Sequence, residues 1–445
     1  MDNIISFYVE NKKIFYCPQT GTFSFNVFNC SNIPSIDYDT ICELFEPKFL
    51  TICLSISNAC NLSCDYCFNK NKNGLGMNVN LAIDIIERMI NKFNKCEKFF
   101  VDLSGYGEPL LFLDTILAIN EFCKNKSNEL NVEILVSFVS NGTLLTKEIA
   151  KILQNKGVLF GVSLDGNKYV HDLHRKNIKG EKTYDSIITN IESIENKEYV
   201  GCAITITNEV FDLENTICDL LKHFKTISIK PVRSSNKNIC FTKVKEWISE
   251  YDKLTNRIVS DFSKNNTKII KALLNGDDYF GKFIYRCFIG SVTINRCDAG
   301  ITRYSFTNDG ECYGCPSLSM NSVNKITDIG KYKERFRKQV LDTRMMCDNC
   351  EFLLICGGEC SCEYLEIDGI NQYMCSFKKN LIKRAMYIKL ICQNKYNDIF
   401  RDLLAFCYEK KNRYKKNHKL EKFLCETKYS FVEGKKVFDS IERKY

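Results

Sequence analysis

Short runs of β-branched and aromatic residues alternate with amphipathic segments from residue 51 onward. In the segment LAIDIIERMI, which begins at Leu81, apolar residues recur at the spacing of a helix. The same pattern predicts strands at Thr51–Ser57, Phe99–Leu103, Val132–Val139, Val158–Ser163, Gly201–Ile206 and Thr226–Pro231, and helices at Leu81–Phe93, Phe112–Lys124, Thr146–Asn155, Thr183–Ile194 and Leu213–His223. Because strands that alternate with helices form right-handed crossovers, we predict an α/β fold with a parallel sheet, a partial (β/α)6 TIM-type barrel over residues 50–235.

Shorter regions flank this barrel on both sides. Residues 1–49 alternate aromatic and polar positions, and the turn Pro18-Gln19-Thr20-Gly21 predicts a β-hairpin. This N-terminal segment either caps the barrel or contacts a leader peptide. Three regions follow the barrel: a helical bridge over 236–296 with helices at Lys243–Phe262 and Thr267–Leu274, a small cysteine-rich domain over 297–380, and a basic helical tail over 381–445.

Charge is distributed unevenly along the chain. The net charge of +8 combines +11 between Ser376 and Tyr445, where 19 Lys and Arg stand against 8 Asp and Glu, with −3 over the rest. A basic tail can attract an acidic peptide or nucleic acid, but it is also typical of a solvated helix face. Because no RNA-binding signature accompanies it, we interpret the tail as a helix face and expect no nucleic-acid partner.

The cysteine content indicates the compartment. No run of apolar residues reaches the roughly 18 that span a membrane, and the N-terminus lacks the basic and apolar regions of a secretory signal. In a chain that is not exported, 25 cysteines argue for metal ligation rather than disulfides. We therefore expect a protein of the reducing cytoplasm with no membrane partner. The sequence leaves its oligomeric state open.

Three of these cysteines form the C-x3-C-x2-C run Cys60, Cys64 and Cys67, directly after the first predicted strand. Three thiolates on so short a loop can hold three irons of a [4Fe–4S] cube, whereas a closed cube takes four. An open coordination position is what distinguishes a catalytic metal site from a structural one. Buried core cysteines or part of a zinc knuckle are the alternative interpretations.

This run resembles the cluster-binding signature of the radical S-adenosylmethionine (SAM) superfamily. The resemblance implies that the open iron chelates the amino and carboxylate groups of SAM and that Tyr66 flanks the adenine. Three more motifs, each after its own predicted strand, resemble the SAM-binding residues of the family: Ser104-Gly105-Tyr106-Gly107-Glu108-Pro109, Ser140-Asn141-Gly142, and Ser163 with Arg175.

The resemblance also implies a role for each motif. Gly107 lets the backbone approach the ligand, and Glu108 accepts hydrogen bonds from the SAM ammonium. In the family motif a glycine stands where this chain has Tyr106. The polar turn at Ser140 and Asn141 meets the SAM ribose. Ser163 and Arg175 bind the SAM carboxylate, a task that suits the guanidinium fork.

A second array of cysteines resembles the SPASM domain, a C-terminal extension of radical SAM enzymes that modify peptides and proteins. Its spacing is Cys297-x12-Gly310-x4-Cys315, then Cys347-x2-Cys350-x5-Cys356-x3-Cys360, then Cys375. The resemblance implies two auxiliary [4Fe–4S] clusters, the first held by Cys297, Cys315 and Cys360, and the second by Cys347, Cys350, Cys356 and Cys375.

The first auxiliary cluster lacks an evident fourth ligand. Some relatives supply a cysteine a few residues after the one that matches Cys297, but residues 298–304 contain none. Three other cysteines are candidates, Cys312, Cys287 and Cys362. Alternatively one iron is open, and it could then bind a substrate thiolate.

Together the resemblances predict a radical SAM peptide maturase. They imply that a 5′-deoxyadenosyl radical abstracts hydrogen from a ribosomally synthesised peptide or a protein, with flavodoxin or ferredoxin as electron donor. Anaerobic sulfatase-maturating enzymes carry an Asp base directly after the cysteine that matches Cys315, but this chain has Pro316. We therefore predict a thioether or another side-chain cross-link rather than formylglycine. A non-catalytic iron–sulfur electron-transfer protein is the alternative from another class.

Overall fold

The computed structural model describes residues 4–19, 21–28, 38–70, 72, 74–198, 200–233, 239–276, 278–295, 297–347, 349–362 and 371–413. Thr20 of the predicted turn and the tail after residue 413 lie outside these residues. Within them, no helix is both long enough and apolar enough to cross a membrane.

The N-terminal segment forms a small antiparallel sheet. Its strands are β1 (Ile5–Val9), β2 (Lys12–Cys17) and β3 (Thr22–Ser24), with β2 in the middle. The predicted hairpin around residues 18–21 is formed by β2 and β3, and a second hairpin, between β1 and β2, was not predicted. Tyr16 stacks on Phe352 with ring centroids 5.4 Å apart, so this sheet packs against the cysteine-rich part of the chain.

An eight-stranded sheet forms the centre of the fold, in the order β11-β10-β4-β5-β6-β7-β8-β9. Its strands are β4 (Phe49–Leu54), β5 (Lys98–Asp102), β6 (Glu133–Ser140), β7 (Leu159–Ser163), β8 (Gly201–Ile206), β9 (Thr226–Pro231), β10 (Arg303–Phe306) and β11 (Cys312–Tyr313). The first six are the predicted strands, and all their pairings are parallel, which confirms the predicted class. Two short strands from the cysteine-rich region were not predicted: β10 runs parallel to β4, and β11 returns antiparallel.

Helices connect the strands as predicted, and several begin at a side-chain cap. Asn78, Thr146 and Asp212 each accept a hydrogen bond from a backbone N–H in the first turn of the helix that follows. The helices are α1 (Tyr38–Leu44), α2 (Val79–Lys92), α3 (Leu113–Leu130), α4 (Lys147–Asn155), α5 (Lys168–His174), α6 (Tyr184–Ser193), α7 (Leu213–Leu220), α8 (Val244–Phe262), α9 (Lys268–Asn275), α10 (Tyr279–Ile289), α11 (Tyr332–Cys347), α12 (Leu353–Cys356), α13 (Gln372–Lys395) and α14 (Asn397–Arg413).

The central strands bury one face and leave the other half-exposed. Alternate residues such as Val136 and Phe138 belong to the main core, together with residues of the surrounding helices. The residues between them on the strands are half-exposed and largely polar, among them Asp102, Ser137 and Thr205. The alternation of side chains along each strand therefore places apolar residues on the outer face of the barrel and mostly polar residues on its inner face.

A helical layer beyond the barrel positions the last predicted ligand. Helix α13 carries Cys375 and packs on α8 and α10 through the fully buried Tyr251. The Tyr251 ring lies 5.2 Å from Phe280 and 5.4 Å from Phe377, edge-on to both. Such aromatic contacts contribute about 0.5–1.5 kcal/mol each beyond the area they bury.

Asp278 is a buried cap that joins this helical layer to the sheet. Its carboxylate accepts from Gly281 N at 2.5 Å, in the first turn of α10, and from Ile229 N at 3.1 Å, in β9. We expect Asp278→Ala to lower the free energy of unfolding by about 2–4 kcal/mol, because two buried N–H groups lose their acceptor. Urea unfolding followed by circular dichroism measures this change.

Asp212→Ala is the matched control, because Asp212 caps α7 at a position where water can replace it. Its carboxylate accepts from Asn215 N at 3.0 Å in an exposed setting. Its removal should cost about 1 kcal/mol. Equal losses for the two variants would show that the link to β9 contributes nothing.

Candidate functional site

The loops that follow β4, β5, β6 and β7 meet at the carboxyl ends of these strands. Ala59 O, in the loop after β4, accepts from Glu108 N, in the loop after β5, at 2.8 Å. Glu108 in turn reaches the loop after β6. In barrels of this type the carboxyl end of the strands is where active sites lie. The structure therefore brings together the four motifs that the sequence placed after separate strands.

The loop after β4 carries Cys60, Cys64 and Cys67, all half-buried. Cys67 N donates to Cys64 O at 3.2 Å, which folds the loop into a turn. Burial raises the pKa of Cys60 and Cys64, the latter to about 11, and the nearby Cys67 thiol raises both further. Without a metal ion, neighbouring thiols with raised pKa values stay protonated and neutral. A bound metal ion lowers their pKa values because it stabilises the thiolate form. This donor set therefore fits a cluster with three thiolate ligands.

Backbone contacts fix the cysteine loop to the segment around Arg175. Ser63 N donates to Lys176 O at 2.7 Å, and Asp65 N donates to His174 O at 3.3 Å. The Asp65 carboxylate also lies 2.9 Å from His174 Nδ1. The loop is thus held from the side of β7 as well as from β5.

Gly107 is the point of closest approach between two of these loops. Its φ is +66°, and a Cβ at this position would lie 2.3 Å from Ala59 O and 2.7 Å from Ser57 O. Backbone carbonyls cannot move aside as a flexible side chain can. Only glycine fits here, because the close approach is to the backbone of the cysteine loop. The predicted approach of Gly107 to a ligand stays a prediction.

Glu108 is buried and links the loops after β5 and β6. Its carboxylate accepts from Ser140 Oγ at 2.7 Å, from Asn141 N at 2.7 Å and from Leu110 N at 3.1 Å. Burial raises its pKa, while these hydrogen bonds act in the opposite direction. The predicted ligand for an ammonium group is therefore also the centre of a hydrogen-bond network.

Asn141 extends this network to the cysteine loop. Its Nδ2 donates to Asn61 Oδ1 at 2.8 Å and lies 4.0 Å from Cys60 Sγ. Ser140 and Asn141 are both buried. Side chains from the loops after β4, β5 and β6 thus form one continuous polar wall beside the three cysteines.

Tyr106, the residue that replaces a family glycine, points toward the cysteine-rich region. Its hydroxyl donates to Pro316 O at 2.9 Å and contacts Ser319 Oγ. Its ring centroid lies 5.4 Å from that of Phe68, next to Cys67. This single side chain therefore connects the loop of the first cysteine motif with the residue that follows Cys315.

Arg175 is bound within the protein by Asp165, which is not among the predicted site residues. Arg175 Nε donates to Asp165 at 2.7 Å and Nη2 donates at 3.2 Å, while the Tyr66 hydroxyl and Thr205 N also donate to this carboxylate. Burial raises the pKa of Asp165, but Arg175 and these donors outweigh burial and hold the pKa below its usual value. Arg175 also lies 5.4 Å from the Tyr66 ring centroid.

These contacts bear on the roles predicted for Arg175 and Tyr66. Ser163, at the end of β7, is half-exposed, and its role in binding the SAM carboxylate stays a prediction. The fork of Arg175 is engaged with Asp165, and Tyr66 is fixed by the same carboxylate. The sequence contained a signal for the pair of Asp165 and Arg175. Their carboxylate and guanidinium stand ten residues apart, on either side of the short helix α5.

The cysteines of the second array form two groups. Burial raises the pKa of Cys347 to about 11, and Cys350, Cys356 and Cys375 lie close enough to raise it further. Burial likewise raises the pKa of Cys315, with further contributions from Cys360 and Cys297. The auxiliary clusters that the SPASM resemblance implies on these two groups stay a prediction.

The described residues contain no three His, Cys, Asp or Glu side chains that converge on a single metal ion. A [4Fe–4S] cube makes a different demand, because each thiolate binds its own iron.

Buried cations hold the segment between Cys356 and Cys360. Arg286 Nη1 donates to Ile355 O at 2.5 Å and to Cys356 O at 3.1 Å. Glu359 pairs with Lys378 of α13 at 2.6 Å, with both side chains 3% exposed. This ion pair fixes the segment to the helix that carries Cys375. Breaking such a pair from one side costs about 3–5 kcal/mol.

Comparison with known proteins agrees with this geometry. Residues 54–225 match the sequence model of the Radical SAM superfamily. The cysteine-type anaerobic sulfatase-maturating enzyme of Clostridium novyi (strain NT) is 24% identical over 333 residues, which cover 68% of this chain and 85% of that protein.

Two solved structures share the fold. The structure of anSMEcpe with bound AdoMet and Kp18Cys peptide has a TM-score of 0.63 at 20% identity, and the match covers 80% of this chain and 99% of the other. Streptococcus suis SuiB bound to its precursor peptide SuiA has a TM-score of 0.51 at 14% identity, covering 83% and 97%.

We expect Gly107→Ala to disrupt the cysteine loop. The added Cβ meets two backbone carbonyls, so the loops after β4 and β5 must separate. Iron and sulfide per chain after anaerobic reconstitution should fall, together with the urea midpoint. Gly180→Ala is the control, because Gly180 also has a positive φ of +82° but nothing lies within 4 Å of its Cβ position. The control isolates the conformational cost of about 1–2 kcal/mol, and equal losses in both variants would refute the steric argument.

We expect Asp165→Asn to lower the free energy of unfolding by about 3–5 kcal/mol, because it leaves the buried Arg175 without its counter-charge. Asp185→Asn is the control, since Asp185 and its partner Lys168 are both more than half exposed and should contribute nothing measurable. Urea unfolding measures both variants. A midpoint unchanged by Asp165→Asn would mean that the pair is not needed to hold Arg175.

Proposed function

We propose that this radical SAM enzyme matures a ribosomally synthesised peptide by forming a thioether or another side-chain cross-link. The observation that carries the proposal is the contact of Tyr106 with Pro316. It joins the loop beside the predicted SAM site to the residue after Cys315, a predicted ligand of an auxiliary cluster. A substrate held at this junction would face both groups of cysteines.

The peptide substrate is supported by the two similar structures, one of which contains a Kp18Cys peptide and the other the precursor peptide SuiA. The interior of the barrel also suits a peptide, because Asp102, Ser137 and Thr205 offer polar groups along neighbouring strands. Arg303 Nη1 lies 3.4 Å from Asp102 and 3.1 Å from Cys53 Sγ on the same face.

We assign the cluster that cleaves SAM to Cys60, Cys64 and Cys67, and with SAM bound it supplies a 5′-deoxyadenosyl radical. The protein's own groups position the reactants. Glu108 offers a carboxylate for the SAM ammonium, and its bonds to Ser140 and Asn141 fix that carboxylate in place. Asp165 holds Arg175 and Tyr66 beside Cys64. The guanidinium of Arg175 therefore lies near the negative charge of a Cys64 thiolate.

Formation of a thioether removes two hydrogens from the peptide. One leaves as a hydrogen atom to the 5′-deoxyadenosyl radical, which becomes deoxyadenosine, and the other leaves as the thiol proton, so one electron must pass to an acceptor. Two auxiliary clusters would supply that acceptor, one held by Cys347, Cys350, Cys356 and Cys375, and the other by a set that includes Cys297, Cys315 and Cys360. A reducing cytoplasm with ferredoxin or flavodoxin as electron donor suits this chemistry.

Formylglycine formation is the competing reaction, because a sulfatase-maturating enzyme is among the relatives. That branch uses an Asp at the position of Pro316. In this chain the Pro316 carbonyl accepts from Tyr106, and proline has no side chain that takes a proton. The position therefore favours a product that needs no base there.

The proposal is tested by anaerobic incubation of reconstituted enzyme with SAM, a reductant and the Cys-containing peptide encoded beside its gene. We expect deoxyadenosine and a peptide lighter by two hydrogens, both read by mass spectrometry. Cys64→Ala should abolish both products. Cys218→Ala, a half-buried cysteine of α7 outside both cysteine arrays, should leave them unchanged.

The other outcomes separate the alternatives. Formylglycine in the peptide would identify a sulfatase-maturating activity and refute the cross-link. Deoxyadenosine without a change in the peptide would remove this peptide as the substrate. No deoxyadenosine from iron-loaded enzyme would contradict the catalytic role and favour an electron-transfer protein.

A further inference from the structure

The cysteine group of Cys297, Cys315 and Cys360 provides three thiols, one fewer than a closed [4Fe–4S] cube takes. Three other cysteines were candidates for the fourth position. Their places in the fold now distinguish them. A fourth ligand at this group rests on the proposed function, which assigns a cluster to these three cysteines.

Cys312 faces a different part of the molecule. It lies on β11 and lines a cavity of about 730 Å³ together with Ile85 and Arg88 of α2, on the outer side of the sheet. The cavity is also lined by Lys325 and Asp328, and none of the three cysteines of the group borders it. Cys312 is therefore directed toward the outer helix layer.

Cys287 is placed beside the other cysteine group. It lies on α10 and lines a small cavity with Gly21, Phe23 and Ile355. Ile355 precedes Cys356, which belongs to the group that already has four cysteines. Cys287 is fully enclosed in the apolar core between α10 and the N-terminal sheet.

Cys362 lies beside the incomplete group. It follows Cys360 by two residues, and Ser361 between them places its Oγ 3.0 Å from Cys297 Sγ. Cys362 is 1% exposed. Cys315 and Cys362 both lie close enough to the Tyr106 hydroxyl to interact with it electrostatically, as does Tyr313. One tyrosine hydroxyl thus has a thiol of the group and Cys362 as neighbours.

We propose that Cys362 supplies the fourth thiolate of the cluster held by Cys297, Cys315 and Cys360. Each thiolate of a cube binds its own iron, so Cys360 and Cys362 would bind two different irons of this cluster. The auxiliary cluster is then closed. A closed cluster accepts an electron from the substrate but does not bind the substrate thiol, so the peptide thiol reacts without iron ligation at this site.

The test compares Cys362→Ala with Cys312→Ala and Cys287→Ala in the full-length, anaerobically reconstituted enzyme, with SAM present to occupy the open iron of the first cluster. Iron and sulfide content, electron paramagnetic resonance and Mössbauer spectra provide readouts that do not depend on activity. We expect Cys362→Ala to lose about one iron per chain on mild oxidation and to give a [3Fe–4S] signal. The other two variants should match the parent enzyme.

Two further variants keep the proposal falsifiable. Cys362→Ser retains an oxygen ligand and should shift the spectra without loss of iron, even if the alanine variant folds poorly. Ser361→Ala should leave the spectra unchanged, because Ser361 contacts Cys297 without binding iron in this proposal.

Three results would overturn the proposal: spectra of Cys362→Ala equal to those of the parent, the expected change in Cys312→Ala, Cys287→Ala or Ser361→Ala instead, or an open-iron signal in the parent itself. Failure of the proposed function would look different. An enzyme with intact closed clusters that leaves the peptide unmodified would refute peptide maturation while the assignment of Cys362 stands.

Discussion

The contact on which the site depends is the one between the loops after β4 and β5, where the backbone of Gly107 and Glu108 lies against the carbonyls of residues 57–59. Strand pairing brings the ends of β4 and β5 together, but this contact sets the distance between their loops. From it, Glu108 extends to Ser140 and Asn141, and Asn141 extends back to the cysteine loop. The three loops are thus fixed as one unit, and this unit includes the loop that carries Cys60, Cys64 and Cys67.

Much of this architecture could be predicted from the sequence. The six parallel strands were located within two or three residues at each end, because short β-branched runs alternate with helical periodicity there. Strands β10 and β11 were missed because four and two residues carry no periodic signal, and only their pairing with β4 and with each other makes them strands. Asp165 was missed for a related reason, since its partner depends on how the short helix after β7 folds back.

The choice among Cys287, Cys312 and Cys362 shows a different limit. Spacing along the chain identifies a set of cysteines that belong together, but it does not tell which face of a strand or helix a further thiol occupies. Cys312 is nearer in sequence to Cys315 than Cys362 is, yet it lies on the side of α2. Tertiary packing decides such cases, and here the contact of Ser361 with Cys297 carries the information.

The eight-stranded sheet has two ends, β9 and β11, that do not pair with each other in the described part of the chain. A closed barrel has its radius fixed by strand number and shear, so it cannot widen without breaking ladder hydrogen bonds. An open sheet can change its curvature while every ladder bond stays intact. The β11 end is tied to the loop after β5, because Tyr106 donates to Pro316 just after β11. Elastic compliance is therefore greatest at the β9 end, three strands beyond β6 in the sheet order. Bending at β9 leaves the stiff unit formed by the loops after β4, β5 and β6 unchanged.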